Sequence, residues 1–282
     1  MTQANSTATT HDNGKVYKCT FVDWRQSVWR LLERVDLAGR IKSIQRIVIK
    51  PNLVEAKNHP VTTPVAMVAA LVEYLQRYLP EKEIVIAEGT GATSYSTWHP
   101  FEVLGYKEMA DRKKITLIDL NEEPLVRLEN SSCQRWPEMY LPEIVFTGYL
   151  ISVPVLKVHT LADVTLTMKN MMGLAPPVHY QRGGAWKKAS FHDRVHEAVY
   201  DLNRYRTPDF TVLDATIGMQ DSHLWGRHCD PPPNQLAVSF DPVAIDAFGA
   251  GLLGKRWKDV EHIRLADGVL GSAAPLTVVD LL

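Results

Sequence analysis

The stretch that decides the fold is Leu150–Gly173, LISVPVLKVHTLADVTLTMKNMMG. Its first seven residues are mostly apolar, with β-branched side chains at Ile151, Val153 and Val155, which predicts a buried core strand over Leu150–Leu156. This strand leads to Lys157 and His159, and Lys169 follows ten residues after the histidine. Because lysine is almost never buried without a partner, two lysines beside a core strand indicate an anionic ligand. The alternative is that both lysines are solvated and His159 is a structural imidazole.

Strand and helix patterns alternate along most of the chain. Helix patterns lie between the core strands. One helix is predicted to start at Pro64 with Thr62 or Thr63 as its N-cap, and another covers Phe191–Arg204. This alternation predicts an α/β fold, a mostly parallel sheet with helices on both faces, built as one large domain or as two unequal lobes. The further predicted strands are Val16–Val22, Ile44–Lys50, Glu83–Glu88, Ile115–Leu120, Phe210–Asp214 and Gln235–Phe240.

The predicted domain organisation is simple. Residues 1–15 are polar, which predicts a disordered tail, and residues 16–282 form a single α/β domain. A Gly- and Pro-containing stretch near residues 176–190 is the candidate lobe boundary or lid.

Polar residues stand where the predicted strands end. In open α/β sheets, ligands bind outside the carboxyl ends of the strands. The Gly-Thr-Gly turn after Glu88 is neither a dinucleotide fingerprint nor a P-loop, although such a turn can hold an anion. Glu88 is a candidate base or metal ligand, or a salt-bridge partner of Lys50 or Lys157. The candidate binding residues are Lys50, Asn52, Gly89, Thr90, Gly91, Lys157 and Asn170, and the candidate catalytic residues are His159, Lys169 and Glu88.

Metal binding is a second possibility for the same site. His192 and His196 have a spacing that can hold a metal from one helix face, and Asp214 ends a predicted strand. We therefore predict His192 and Asp214 as candidate ligands of a divalent metal. A second ligand-rich patch holds His223, His228, Cys229 and Asp230. The three cysteines are far apart and form no Cys-x-x-Cys, which argues against a zinc ribbon or an iron–sulfur cluster held by this chain alone.

The composition narrows the class of partner. The chain has 282 residues, is 45% hydrophobic and has a formal net charge of −1. Without a long basic block, nucleic acid and anionic membranes are not expected partners. With no apolar run long enough for a membrane span and no secretory signal, the predicted location is the cytoplasm.

Several segments together resemble domain-of-unknown-function family 362. The resemblance covers nearly the whole chain from about Lys50. It implies a ferredoxin-like iron–sulfur protein as a separate partner, since family members are often fused to or encoded beside such modules. The segments are KPNLV at 50–54, TTPVAMVAALVEYL at 62–75, AEGTG at 87–91, PVLKVHTLADVTLTMKNMMG at 154–173, FH at 191–192, VLDATIGM at 212–219 and DPVAIDA at 241–247.

The order of parts is also similar to that of the nickel-dependent lactate racemase family. Thr63-Pro64, the Glu88–Gly91 turn, and His159 with Lys169 stand at comparable places. In that family the later lysine tethers a nickel-pincer nucleotide. Here Gly91 stands where the racemases have a histidine, the bridge between histidine and lysine differs, and an arginine before the proline is missing. These departures disfavour a nickel-pincer cofactor and put the racemase reaction in doubt.

Two function classes follow. The first is an enzyme acting on a small anionic metabolite, a carboxylate or phosphate, with Lys157 and Lys169 neutralising the anion. His159 would then serve as an acid–base group or metal ligand. The second is a non-catalytic accessory protein that binds a metal, a cofactor or an iron–sulfur partner. A third possibility, Schiff-base chemistry, requires a lysine with a depressed pKa.

Overall fold

The structure is a computed structural model that describes residues 12–281. The residues of the predicted tail up to number 11 lie outside the described range, and Lys15 is already the first residue of a strand. Within residues 12–281, no helix combines the length and the apolar character needed to cross a membrane.

Strands and helices alternate as the sequence pattern predicts. The strands are β1 (Lys15–Thr20), β2 (Arg46–Pro51), β3 (Glu83–Glu88), β4 (Thr116–Asp119), β5 (Leu125–Glu129), β6 (Glu138–Pro142), β7 (Tyr149–Val153), β8 (Val155–His159), β9 (Asp163–Thr165), β10 (Phe210–Met219), β11 (Gln235–Ser239) and β12 (Thr277–Leu281). The helices are α1 (Trp24–Arg34), α2 (Leu37–Arg40), α3 (Val65–Tyr78), α4 (Trp98–Val103), α5 (Tyr106–Lys113), α6 (Thr167–Asn170), α7 (Pro177–Tyr180), α8 (Val195–Tyr205), α9 (Pro242–Leu252) and α10 (Glu261–Ala266).

One large sheet organises the described chain, with the order β12-β1-β11-β10-β7-β2-β3-β4 and with β8 and β9 attached through β10. Its pairs are parallel from β10 through β7, β2 and β3 to β4, and antiparallel at β11. The strands β5 and β6 form a separate antiparallel pair. The predicted α/β fold with a mostly parallel sheet is confirmed.

Helices cover both faces of the sheet. Successive residues of a strand point to opposite faces, and here they enter two different cores. Val48 and Val85 belong to the core that includes α8 and α9, whereas Ile49 and Ile86 belong to the core that includes α1 and α3. The central strands are therefore buried on both sides, which explains their continuous apolar sequences.

Four local predictions differ from the structure. Pro154 divides the single strand expected over residues 150–156 into β7 and β8, since proline cannot donate to a ladder. Strand β10 does not end at Asp214 but continues to Met219. The helix expected from Phe191 begins at Val195, because Arg194 adopts a left-handed conformation with φ of 52°. Thr63 does not cap α3, because its hydroxyl accepts the backbone N–H of Asn52 and donates to the Val153 carbonyl.

Candidate functional site

A cavity of about 260 Å³ opens where strands β2, β3 and β8 end beside α6. The chain places nearly all of the predicted site residues on its wall, and Thr90 and Asp214 are the exceptions. The predicted residues that line the cavity are Lys50, Asn52, Glu88, Gly89, Gly91, Lys157, His159, Lys169, Asn170 and His192.

Lys50 and Glu88 form a buried ion pair at the floor of the cavity. The Lys50 ammonium lies 2.9 Å from each carboxylate oxygen of Glu88, and both side chains are almost completely buried. The carboxylate also accepts the backbone N–H groups of Leu53 and Gly89. Each carboxylate oxygen thus accepts two hydrogen bonds, and Glu88 holds the floor of the cavity together. The catalytic role expected for Glu88 stays a prediction.

Packing against this pair requires a glycine at position 173. A Cβ atom there would collide with the Glu88 carboxylate and with the Lys50 ammonium. The turn after α6 can therefore approach the ion pair only because residue 173 has no side chain.

Asparagine side chains connect the ion pair to Lys157. Asn170 accepts from Lys50 at 3.1 Å and from the Asn52 amide at 3.0 Å. The Asn52 carbonyl oxygen in turn accepts from the Lys157 ammonium at 2.7 Å, which also donates to the Val61 carbonyl. Burial and the neighbouring charge of Lys169 lower the pKa of Lys157 to about 7. Two of the three ammonium protons of Lys157 are thus engaged, which leaves one for a ligand.

Lys169 differs from the other lysines of the cavity in its lack of partners. Its side chain is buried, and within residues 12–281 its ammonium has no hydrogen-bond or ion-pair partner. Burial lowers its pKa to about 8. The short helix α6 carries it, and Asp246 of α9 fixes that helix by accepting the N–H groups of Thr167 and Met168 at 2.7 and 3.0 Å.

Three histidines stand near this ammonium. The Nδ1 atom of His159 accepts the N–H groups of Leu161 and Ala162, so we assign its proton to Nε2. The ring of His159 stacks on His223 with 4.1 Å between centroids. Burial, followed by the charge of Lys169, lowers the pKa of His159, His192 and His223, to about 3 for His223. The imidazoles are therefore neutral at physiological pH.

Two further residues that line the cavity and could bind a ligand or transfer a proton, Lys188 and His223, were not among the site residues predicted from the sequence. Lys188 is buried, donates to the side chain of Asn121 and to the Ala175 carbonyl, and has its pKa lowered to about 7 by burial. His223 stood in the sequence only as part of a separate metal-binding patch. Both reach the cavity from loops distant in sequence, and no local pattern signals such an approach.

Asp214 and Thr90 face other neighbours. The Asp214 carboxylate lies 2.8 Å from Nε2 of His59 and accepts the Thr216 hydroxyl at 2.7 Å. It stands mid-strand because β10 continues beyond it. The Thr90 hydroxyl donates to the Val54 carbonyl. Neither side chain lines the cavity.

The two predicted metal ligands lie apart, since His192 lines the cavity and Asp214 does not. Within the described residues, no group of three or more His, Cys, Asp or Glu side chains is placed to hold a metal ion. His192 and His196 do not share a helix, because the break at Arg194 separates them. His196 instead lies 3.0 Å from the Nδ1 atom of His262.

Comparisons with known proteins agree with this architecture. The family model described as "Domain of unknown function (DUF362)" matches residues 47–251, well over half of the chain. The chain belongs to the DUF362 family. No curated protein matches it.

Among solved structures, this DUF362 chain is similar to the lactate racemase apoprotein from Thermoanaerobacterium thermosaccharolyticum. The TM-score is 0.54 at 12% sequence identity, and the match covers 86% of this chain. It covers 57% of the racemase chain, so the DUF362 chain spans little more than half of that protein. At this identity the similarity shows a shared fold.

The cavity has a volume of about 260 Å³, and Trp186, Met172 and Lys188 form part of its wall. This volume lies near the lower end of the roughly 300–1,000 Å³ that is typical of sites for drug-sized ligands. The expectation that this chain does not use the nickel-pincer nucleotide of the racemase family stays a prediction.

Proposed function

We propose that this protein is an enzyme that binds a small anionic metabolite, a carboxylate or a phosphate, in the cavity beside Lys169. The observation that carries the proposal is the buried Lys169 ammonium, for which residues 12–281 provide no partner. A buried charge without a partner is costly, and a bound anion would supply the missing partner.

The charges of the lining support the same ligand class. Among the lining residues described, four are lysines (Lys50, Lys157, Lys169 and Lys188), and Glu88 is the one carboxylate. Glu88 already neutralises Lys50. The remaining lysines give the cavity an excess of positive charge that attracts and orients an anion.

Acid–base groups beside the anion site favour catalysis over simple binding. His159 lines the cavity with its proton assigned to Nε2, and Lys157 has a pKa of about 7 with one proton unengaged. A group that titrates near the working pH is suited to proton transfer. Preorganised donors in a buried site also stabilise developing negative charge more strongly than water does. We therefore expect a reaction in which negative charge develops on oxygen or on the adjacent carbon.

Turnover can be tested by proton NMR in D₂O with a panel of small 2-hydroxy acids, 2-oxo acids and phosphorylated acids. We expect at least one compound to be converted or to exchange a carbon-bound proton with solvent. Lys169→Met should reduce that rate by about 100-fold or more, as for loss of an oxyanion-stabilising group. The matched control is Lys42→Met, which removes an exposed lysine and should leave the rate unchanged. An unchanged rate in Lys169→Met would refute the assignment.

A further inference from the structure

We propose that Lys169 is a nucleophile that forms a Schiff base with a small 2-oxo acid, an inference that rests on the anion-binding function proposed above. It specifies both the substrate class, a carboxylate with an adjacent carbonyl, and the covalent step.

The hydrogen bonds of the cavity separate Lys169 from the other lysines. Lys50 donates to Glu88, and Lys157 donates to Asn52 and Val61. Lys188 donates to Asn121 and Ala175. An amine that attacks a carbonyl needs a free lone pair, and Lys169 is the lining lysine whose nitrogen has no partner within residues 12–281.

The buried environment also supplies the reactive form of Lys169. Desolvation lowers its pKa from 10.5 to about 8. At pH 7 about a tenth of the Lys169 side chains are then neutral amines, roughly 300-fold more than for an ordinary lysine. Desolvated lysines of this kind are the ones that form Schiff bases.

The atoms of the step balance with groups already in the cavity. The neutral amine of Lys169 attacks the carbonyl carbon, so that a C–N bond forms while the C=O π bond breaks, and a proton of the attacking nitrogen moves to the oxygen to give a neutral carbinolamine. The nitrogen lone pair then expels the hydroxyl group, which leaves as water after taking a proton from the Lys157 ammonium. The product is a protonated imine, with no oxidant or reductant consumed. Lys188 and the Nε2–H of His159 would hold the substrate carboxylate.

Reductive trapping tests the step directly. The full chain is incubated at pH 8 with pyruvate or glyoxylate, reduced with sodium borohydride, and examined by intact mass and peptide mapping. We expect one adduct per chain, located on Lys169 and formed faster as the pH rises through about 8. In Lys169→Met the adduct should fall at least tenfold, whereas Lys42→Met should label like the wild type.

A second variant separates the nucleophilic role of Lys169 from the contribution of its positive charge. Lys169→Arg keeps the positive charge but cannot form an imine, so it should retain binding of lactate, which has no carbonyl, and lose the adduct. If the wild type binds lactate by calorimetry but gives no adduct with either 2-oxo acid, the Schiff base is refuted and anion binding stands. If it binds no anion and gives no adduct, both proposals fail. Labelling spread over surface lysines, or unchanged in Lys169→Met, likewise refutes the nucleophile.

Discussion

At the residue scale, burying the charged side chain of Lys169 lowers the stability of the folded protein. Lowering its pKa from 10.5 to about 8 corresponds to about 3 kcal/mol disfavouring the charged form. We therefore expect Lys169→Met to raise the free energy of unfolding at pH 7 by up to about 3 kcal/mol. Denaturant unfolding checks this, with Lys42→Met as a control that should change stability by less than about 0.5 kcal/mol.

The pH dependence of that difference has a definite sign. Since the pKa of Lys169 is lower in the folded chain, the unfolded chain binds more protons between pH 8 and 10.5. The wild type should gain stability relative to Lys169→Met across this window, and the difference should vanish above it. A destabilised Lys169→Met at pH 7 would mean that the lysine has a partner in the folded chain.

Removing Lys50 should have the opposite effect on stability from removing Lys169, because Lys50 is paired with Glu88. Replacing Lys50 by Met leaves a buried carboxylate with only two backbone N–H donors. We expect a loss of about 3–5 kcal/mol in the free energy of unfolding, and partial recovery in the double variant Lys50→Met/Glu88→Gln. Arg256→Met, which breaks the exposed pair with Asp259, should cost no more than about 1 kcal/mol. Equal losses in the two single variants would contradict the structural role of the buried pair.

At the scale of elements, α9 positions the lysine through Asp246. This fully buried carboxylate accepts two N–H groups at the start of α6. Asp246→Asn keeps the shape but leaves one N–H without an acceptor, so we expect a loss of about 1–3 kcal/mol in the free energy of unfolding and weaker binding of lactate. Calorimetry and denaturant unfolding measure the two effects.

The control for that prediction is Asp267→Ala. Asp267 also accepts a backbone N–H, that of Ala273 at 2.8 Å, and this N–H lies outside α6. Removing the acceptor leaves that N–H without its partner, so the variant should lose stability and keep its affinity for lactate. If both variants bind lactate like the wild type, Asp246 does not position Lys169.

Strand ends explain how much of the site could be predicted. Lys50, Glu88 and Lys157 follow or end apolar strands, and the rule for parallel sheets brings such residues to one edge. The way Lys169 joins them was not readable from local patterns. Strand β9 pairs antiparallel with β8, with Asp163 opposite His159, and this pairing returns the chain toward the cavity. That pairing depends on tertiary contacts, as do the approaches of Lys188 and His223.

Backbone details account for the remaining differences. The sequence pattern predicts that the strand ends at Asp214, which would bring Asp214 to the site, yet β10 runs on to Met219. The sequence predicts one helix that contains His192 and His196, but Arg194 between them adopts a left-handed conformation. Arginine seldom adopts this conformation, so the sequence does not indicate the break. Hydrophobic periodicity records which face is buried but not where a single residue leaves the helical conformation.

At the scale of the whole molecule, a doubly covered sheet places a small positive cavity at the carboxyl ends of its central strands. The DUF362 membership and the shared racemase fold describe this framework, whereas the chemistry depends on the side chains placed on it. The ferredoxin-like iron–sulfur partner implied by the family resemblance stays a prediction, and co-purification with such a protein would test it.

The most direct test of the anion-binding cavity is calorimetry of lactate and sulfate binding at pH 8 in two buffers of different ionisation enthalpy. An anion beside lysines of lowered pKa should draw protons onto them, and Lys169 alone is about half deprotonated at pH 8. We predict uptake of roughly half a proton or more per anion bound, reduced in Lys169→Met and unchanged in Lys42→Met. Binding without proton uptake, or equal uptake in Lys169→Met, would contradict a site built around that lysine.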